Sequence, residues 1–211
     1  MANEIIEDIV VSDLHLGNPR CNRKNIINIL NKPFKRIILN GDVFSIGHKP
    51  TFIDHQILRV LEYLQETNRL IAIKGNHELY VNASKLTSLR FVSSYSWDFY
   101  GSKMLAIHGH KTSLISGFGH TRDYAISQAK KHSADAVFCG HNHVSEIAKI
   151  SGIVYVNTGS FTNYSSHYSE LLSDKYIYLR SISPPPIDFT GFYKNVIDIP
   201  ELNVILIKKY E

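Results

Sequence analysis

Cysteine is scarce: only Cys21 and Cys139 occur in 211 residues, far apart and without the spacing of a thiolate metal site. Cys139 closes an apolar run and reads as a small buried hydrophobe. Long hydrophobic runs are missing too. None approaches the roughly 20 apolar residues that a membrane-spanning helix needs. Residues 1–8 are acidic and lack the basic and apolar regions of a secretory leader, so a cytoplasmic location is expected. Charge of one sign is not concentrated either. The formal net charge is +4, but Lys and Arg are scattered, which gives a nucleic-acid surface little support. The pair Lys130-Lys131 reads as the solvated face of a helix. Repeats and low-complexity stretches are absent.

What is present suits a globular domain. Hydrophobic residues make up 44% and charged residues 20% of a length that fits one domain. Histidine is abundant, with eleven copies, several beside Gly, Asp or Asn at the ends of apolar runs. Ile9-Val10-Val11 leads into Ser12-Asp13-Leu14-His15, and residues 36–39 lead into Asn40-Gly41-Asp42. Residues 70–73 lead into Gly75-Asn76-His77-Glu78, residues 104–107 into His108-Gly109-His110, and residues 134–138 into Gly140-His141-Asn142-His143. These runs read as buried strands bounded by turns. Residues 51–67 predict a helix, with Ile53, Ile57, Leu58, Val60, Leu61 and Leu64 at three- and four-residue spacing and Thr51 as N-cap. A second helix is expected over 120–132, and hairpins around Gly101-Ser102 and Ser151-Gly152. Strands alternating with helices predict an α/β fold with substantially parallel pairing.

After Ser160 the character changes. Residues 161–175, rich in Ser, Tyr and Asn, read as a loop, Pro184-Pro185-Pro186 as a stiff break, and residues 204–207 as a last strand. The expected division is a core over 1–165 and an extension over 166–211 packed on the same domain as an edge strand, a partial lid or an oligomer contact. An exposed edge there leaves a homodimer open.

Each polar cluster follows a strand, and in open α/β sheets ligands bind beyond the carboxyl ends of the strands. Five clusters spread over the chain therefore converge on one face. Their residue types are metal donors: Asp13, His15, Asp42, Asn76, His108, His141 and His143. Seven side chains exceed what one Zn²⁺ site takes and suit two ions sharing a carboxylate. Nitrogen and oxygen donors without thiolate favour Mn, Fe, Zn, Co or Ni over Mg or Ca. Two dications outweigh the two carboxylates even with a hydroxide added, so the centre attracts an anion. Paired cations also lower the pKa of water and clamp the oxygens of an in-line displacement, which is the demand of phosphoryl chemistry.

Asp13-x-His15, Gly41-Asp42, Gly75-Asn76-His77-Glu78, His108 and Gly140-His141-x-His143 together resemble the signature blocks of the calcineurin-like metallophosphoesterases, over about residues 5–160. The resemblance implies a four-layer αββα sandwich of two mixed β-sheets flanked by helices, with a dinuclear site at the strand ends. It implies Asp13, His15, Asp42 and His143 around one divalent ion, Mn²⁺ foremost, and Asp42, Asn76, His108 and His141 around the other. His77 would contact the phosphate and assist the leaving group, a role suited to imidazole near neutral pH. Many relatives orient this histidine with an acidic residue after Gly-Asp; here the stretch is Val43-Phe44-Ser45, and the adjacent Glu78 is badly placed to face it.

Subfamily cues diverge. Ser12-Asp13-Leu14-His15-Leu16-Gly17 resembles the opening of UDP-2,3-diacylglucosamine hydrolases. Those enzymes usually carry Gly-Asn-Arg-Asp and His-Gly-Asp where this chain has Gly-Asn-His-Glu and His-Gly-His, and His108-Gly109-His110 and Asn157-Thr158-Gly159-Ser160 lean instead toward small bacterial and archaeal phosphodiesterases. The arginine of the protein phosphatases' second block is missing. The loop 111–122 is a candidate substrate lip. The expected function is hydrolysis of a small-molecule or nucleotide phosphodiester or monoester by a metal-activated hydroxide, with Asp42 and His77 central and Asn76 and His77 touching substrate. The alternatives are a UDP-2,3-diacylglucosamine-type pyrophosphate hydrolase and, in another class, a protein-binding scaffold like the retromer subunit of this fold.

Overall fold

A computed structural model describes residues 6–110, 121–162, 166–173, 175–182, 197–198 and 203–204. Strand β1 (Ile6–Val11) leads through a loop to α1 (Arg23–Leu30), β2 (Phe34–Asn40), α2 (Phe52–Glu66), β3 (Leu70–Ile73) and the short α3 (His77–Tyr80). Strands β4 (Phe91–Val92), β5 (Tyr95–Phe99) and β6 (Ser102–Ala106) follow, then α4 (Thr121–His132) and β7 (Ala136–Cys139). The hairpin β8 (Ser145–Ile150) and β9 (Ile153–Thr158) precedes β10 (His167–Leu172) and β11 (Ile177–Ser181), with β12 (Ile197–Asp198) and β13 (Asn203–Val204) as a small pair.

Two mixed sheets carry the fold. One has the order β11-β10-β1-β2-β3-β4 and the other β5-β6-β7-β9-β8. In the first, β1, β2, β3 and β4 are parallel while β10 runs antiparallel to β1. In the second, β6, β7 and β9 are parallel, with antiparallel β5 and β8 at the edges.

Side-chain alternation along strands assigns the layers. Ile9, Val11, Ile37 and Leu39 pack with Ile57, Leu58 and Leu61 of α2 and Ile26 and Ile29 of α1. Their neighbours Val10 and Ile38 face the opposite way, into a second core shared with Met104, Ala106, Phe138, Val154 and Val156 of the other sheet. Leu105, Val137 and Tyr155 face Ala125, Ile126 and Ala129 of α4. Helices, sheet, sheet, helix: the αββα sandwich is the architecture. Strands buried on both faces explain why the sequence shows continuous apolar runs.

Helix α2 begins as the spacing predicts. Thr51 accepts from the Asp54 N–H, and the Asp54 carboxylate receives the Thr51 N–H and hydroxyl. Asp54 also takes Arg23 through two bonds of 2.8 and 2.9 Å and the Gly17 N–H, tying α1, α2 and the loop after β1 together. Both expected hairpins form, at Tyr100-Gly101 and Ser151-Gly152. Helix α4 starts at Thr121, with His120 outside the described residues.

One segment departs from its loop-like composition. Residues 167–172 form β10, hydrogen-bonded between β1 and β11. Its polar side chain Glu170 is buried and satisfied by Arg180 at 2.8 Å and by the Tyr168 hydroxyl, so polarity here marks an internal network rather than solvent. Pro184-Pro185-Pro186, residues 205–207 and the candidate lip at 111–120 lie outside the described residues. No described helix is long and apolar enough to cross a membrane.

Candidate metal centre

The five loops meet at the carboxyl ends of β1, β2, β3, β6 and β7. Pairing between β1 and β2 continues past the strands, because Asp13 N–H donates to the Gly41 carbonyl, His15 N–H to Asp42 and Leu16 N–H to Val43. Asp13, His15 and Asp42 thus sit on a ladder rather than on free loops. The backbone bends sharply to aim them. Asp13, His15, Asp42, His141 and His143 all have φ between 50° and 73°, a left-handed region that costs a residue with a Cβ about 1 kcal/mol or more. Five strained residues at one spot fit a site whose geometry is held by its surroundings.

Glycines fill a second requirement. A Cβ at Gly75 would land on the Asp42 carboxylate, and one at Gly140 on the Asp13 carboxylate and the Ser12 hydroxyl. Neither needs a positive φ; both are places where a carboxylate lies directly against backbone. At Gly41 both reasons apply, since φ is +90° and the His108 ring occupies the space.

The expected donors gather into two groups. Asp13, His15 and His143 place one ligand atom each within 4.8 Å of one another, and so do Asp42, His108 and His141. In the first group the Nε2 atoms of His15 and His143 are 3.0 Å apart, and Asp13 Oδ1 lies 3.2 Å from His143 Nε2. In the second, Asn76 Oδ1 is 3.1 Å from His108 Nε2 and 2.9 Å from His141 Nδ1, and Asp42 Oδ2 is 3.3 Å from His108 Nε2. Asp42 also groups with His15 and His77, so it stands between the two sets. Asp13 Oδ1 and His15 Nδ1 are buried without a hydrogen-bond partner. Converging lone pairs and an orphaned carboxylate oxygen are what a cation would satisfy, and the donor set fits metal binding.

Electrostatics agree with that fit. Burial would raise the Asp13 and Asp42 carboxyls, but the His108 imidazole beside both, with His143 for Asp13 and His77 for Asp42, holds them below the usual range. Burial pushes His15 down to about 4 despite its two carboxylate neighbours. Burial also opposes charge on His108, yet Asp42 and Asp13 lift it to about 9. The two carboxylates thus attract positive charge, whether a proton or a metal.

Supporting residues the sequence does not announce complete the site. Glu78 is buried and accepts N–H bonds from Asp42 (2.9 Å), Phe44 (3.1 Å) and Gly75 (2.8 Å), clamping the loops after β2 and β3. Its recorded partners are these backbone groups and not His77. His77 is oriented by backbone instead: its Nδ1 lies 3.0 Å from the Phe44 carbonyl, its N–H donates to Asp42 Oδ1 at 2.8 Å, and its Nε2 is 3.7 Å from Asp42 Oδ2. The Ile46 N–H also lies 3.2 Å from Nδ1, so the backbone engages Nδ1 and leaves Nε2 as the atom facing Asp42. Asn157 bridges the Gly140 carbonyl and Asn142 Oδ1, and Thr158 Oγ1 meets Ser12 Oγ at 2.9 Å, which explains the Asn-Thr-Gly-Ser block. His110 packs beside the second group, its ring 5.3 Å from that of His108 and its buried Nδ1 without a partner.

Other candidates fall outside. His48 is exposed, with Nδ1 at 3.0 Å from the Ile46 carbonyl, and Arg122 pairs with Glu146. Cys21 and Cys139 are both buried and unpaired.

Comparison with known proteins adds a family and a set of folds. Residues 7–173 match the model of the calcineurin-like phosphoesterase superfamily domain. Vacuolar protein sorting 29 from Cryptosporidium parvum has a similar structure (TM-score 0.58, 14% identity, 86% of this chain and 93% of that one). A novel archaeal phosphodiesterase also matches (TM-score 0.55, 19% identity, 83% and 99%), as does Yfce, a phosphoesterase from E. coli (TM-score 0.54, 16% identity, 83% and 92%). At these identities the likeness is one of fold. No curated protein sequence matches the chain.

Proposed function

The chain belongs to the calcineurin-like phosphoesterase superfamily, and from that premise we propose that it is a phosphoesterase working with two divalent cations, Mn²⁺ foremost, on a small-molecule or nucleotide-type phosphoester. Asp13, His15, Asp42 and His143 would hold one cation, and Asp42, Asn76, His108 and His141 the other. The observation that carries the reading is the convergence of six of the seven donors into two groups with Asp42 between them, Asn76 Oδ1 lying 3.1 Å from His108 Nε2 and 2.9 Å from His141 Nδ1. A complete donor set of this kind favours metal-dependent chemistry over a role confined to protein binding.

When bound, the cations would supply Lewis acidity, activating water and neutralising charge on the phosphoryl oxygens. The chain's own residues do the rest. Asp42 holds the two halves in register through its carboxylate, braced by the His77 N–H. His77, its Nδ1 engaged by the backbone of Phe44 and Ile46, would turn Nε2 to the centre, and in its doubly protonated form would give the Nε2 proton to a leaving oxygen. Asn76 offers an amide N–H to a phosphoryl oxygen while its Oδ1 turns toward His108 and His141. Buried, unpaired cysteines suit a reducing, cytoplasmic setting.

The test is turnover of bis-p-nitrophenyl phosphate and p-nitrophenyl phosphate by Mn²⁺-loaded protein, with Asp42→Asn as control. Diester hydrolysis lost in the control is the expected result, and monoester hydrolysis alone would make the protein a monoesterase. Full metal occupancy without turnover of either would favour the scaffold reading, which the likeness to vacuolar protein sorting 29 keeps in view.

A further inference from the structure

Strand β8 is an open edge. The sheet β5-β6-β7-β9-β8 ends on it, and its one strand partner among the described residues is β9. The hairpin fixes which backbone groups face out. Ile150 pairs with Ile153 across Ser151-Gly152, whose φ values of 51° and 83° suit a two-residue type I′ turn. Residues flanking such a turn exchange both hydrogen bonds, and every second residue then points away from the partner strand. The Val154 N–H donates to the Asp135 carbonyl, on the β7 side, which sets the same phase from the far side of β9. Glu146, Ala148 and Ile150 therefore bond to β9. Ser145, Ile147 and Lys149 turn N–H and C=O outward, where no hydrogen bond among the described residues takes them.

Proteins blunt such edges with proline, bulges, brevity or inward-pointing charge. Strand β8 runs six residues in unbroken register without proline. The other edges offer less. Strand β4 has two residues, β11 lies against β13, and the same alternation in β5 turns only Ser96 and Asp98 outward. Self-pairing suits what β8 carries. About an axis at Ile147, an antiparallel second copy sets Ile147 against Ile147, Ser145 against Lys149, Glu146 against Ala148 and Val144 against Ile150. Val144, 59% exposed, gains an apolar partner, and Ile147 and Ile150 already pack against the cores on the two faces of this sheet. No like charges stand directly opposite. The two Glu146 carboxylates fall on a diagonal, and each keeps its own Arg122.

We propose that two copies of this chain pair β8 to β8, antiparallel about Ile147, so that the five-stranded sheet runs on into that of the second copy. About six main-chain hydrogen bonds join the chains in this twofold arrangement. The pairing does not depend on the phosphoesterase reading.

The experiment uses the whole chain. Sedimentation from about 1 to 500 µM should show passage from the mass of one chain to that of two. Amide hydrogen exchange by NMR identifies the surface. On dimerisation the Ser145, Ile147 and Lys149 amides should slow about tenfold or more, while those of Glu146, Ala148 and Ile150 are protected at every concentration. Lys149→Pro removes one outward N–H from an exposed edge position and leaves the β9 ladder whole. It should keep the circular dichroism of wild type and weaken the dimer about tenfold or more. A monomer throughout the range would overturn self-pairing and leave the edge to an extended peptide of another protein. A dimer whose Ser145, Ile147 and Lys149 amides still exchange freely, or one no weaker in Lys149→Pro, would overturn it as well.

Discussion

Glu78→Gln isolates one buried clamp. The carboxylate takes three backbone N–H groups: Oε2 serves Asp42 and Gly75, and Oε1 serves Phe44. A glutamine of the same shape can keep its oxygen toward the pair and must then turn its NH₂ toward the Phe44 N–H. One bond becomes a donor facing a donor, in a place where water cannot compensate. Leaving a buried backbone N–H unsatisfied costs about 1–3 kcal/mol. For a chain of this size about 2 kcal/mol lowers Tm by roughly 4–8 °C, readable by circular dichroism. The loss falls on Phe44, whose carbonyl orients His77, so turnover should drop about tenfold or more while metal content is kept. An unchanged Tm together with unchanged turnover would refute the assignment of Glu78 as the clamp.

Three further outcomes follow from the same geometry. Gly75→Ala drives a Cβ into the Asp42 carboxylate; it should cost about 2 kcal/mol or more and deplete bound metal, measured by elemental analysis. Asp54→Asn breaks a buried pair with Arg23 and should cost about 3 kcal/mol at pH 7 by denaturant melts. Burial opposes charge on Asp54, but Arg23 and Thr51 hold its carboxyl below the ordinary value. That stabilisation is therefore complete above the unfolded carboxyl's pKa of about 4 and fades as pH falls through the lower folded value. The gap between wild type and variant should shrink in acid; a constant gap would argue against the pair. His77→Ala should leave metal content unchanged and slow turnover by about 10²–10⁴-fold, and a loss of metal instead would make His77 a ligand.

Much of this site was readable because its chemistry is written in residue types at strand ends. Asp13, His15, Asp42, Asn76, His108, His141 and His143 each follow an apolar run, and strands buried on both faces make such runs conspicuous. The supports were harder to read for definite reasons. The Phe44 carbonyl that orients His77 is backbone, so no side-chain identity announces it. Glu78 and Asp54 are charged residues that composition assigns to solvent, yet each is buried against N–H donors or Arg23 from distant positions. Strand β10 hid for the same reason, since Glu170 looks like loop until Arg180 and Tyr168 are seen beside it. The glycines were legible as turns, but their tighter constraint at Gly75 and Gly140 is contact with a carboxylate, which spacing alone does not encode.

The central claim is that Asp42 joins two cations. Metal content per chain after Mn²⁺ loading and desalting, for wild type and Asp42→Asn at pH 7.5 or so, tests it most directly. The account predicts two ions per chain in wild type and one or fewer in the variant. A single ion in wild type, or two retained without the Asp42 carboxylate, would contradict it.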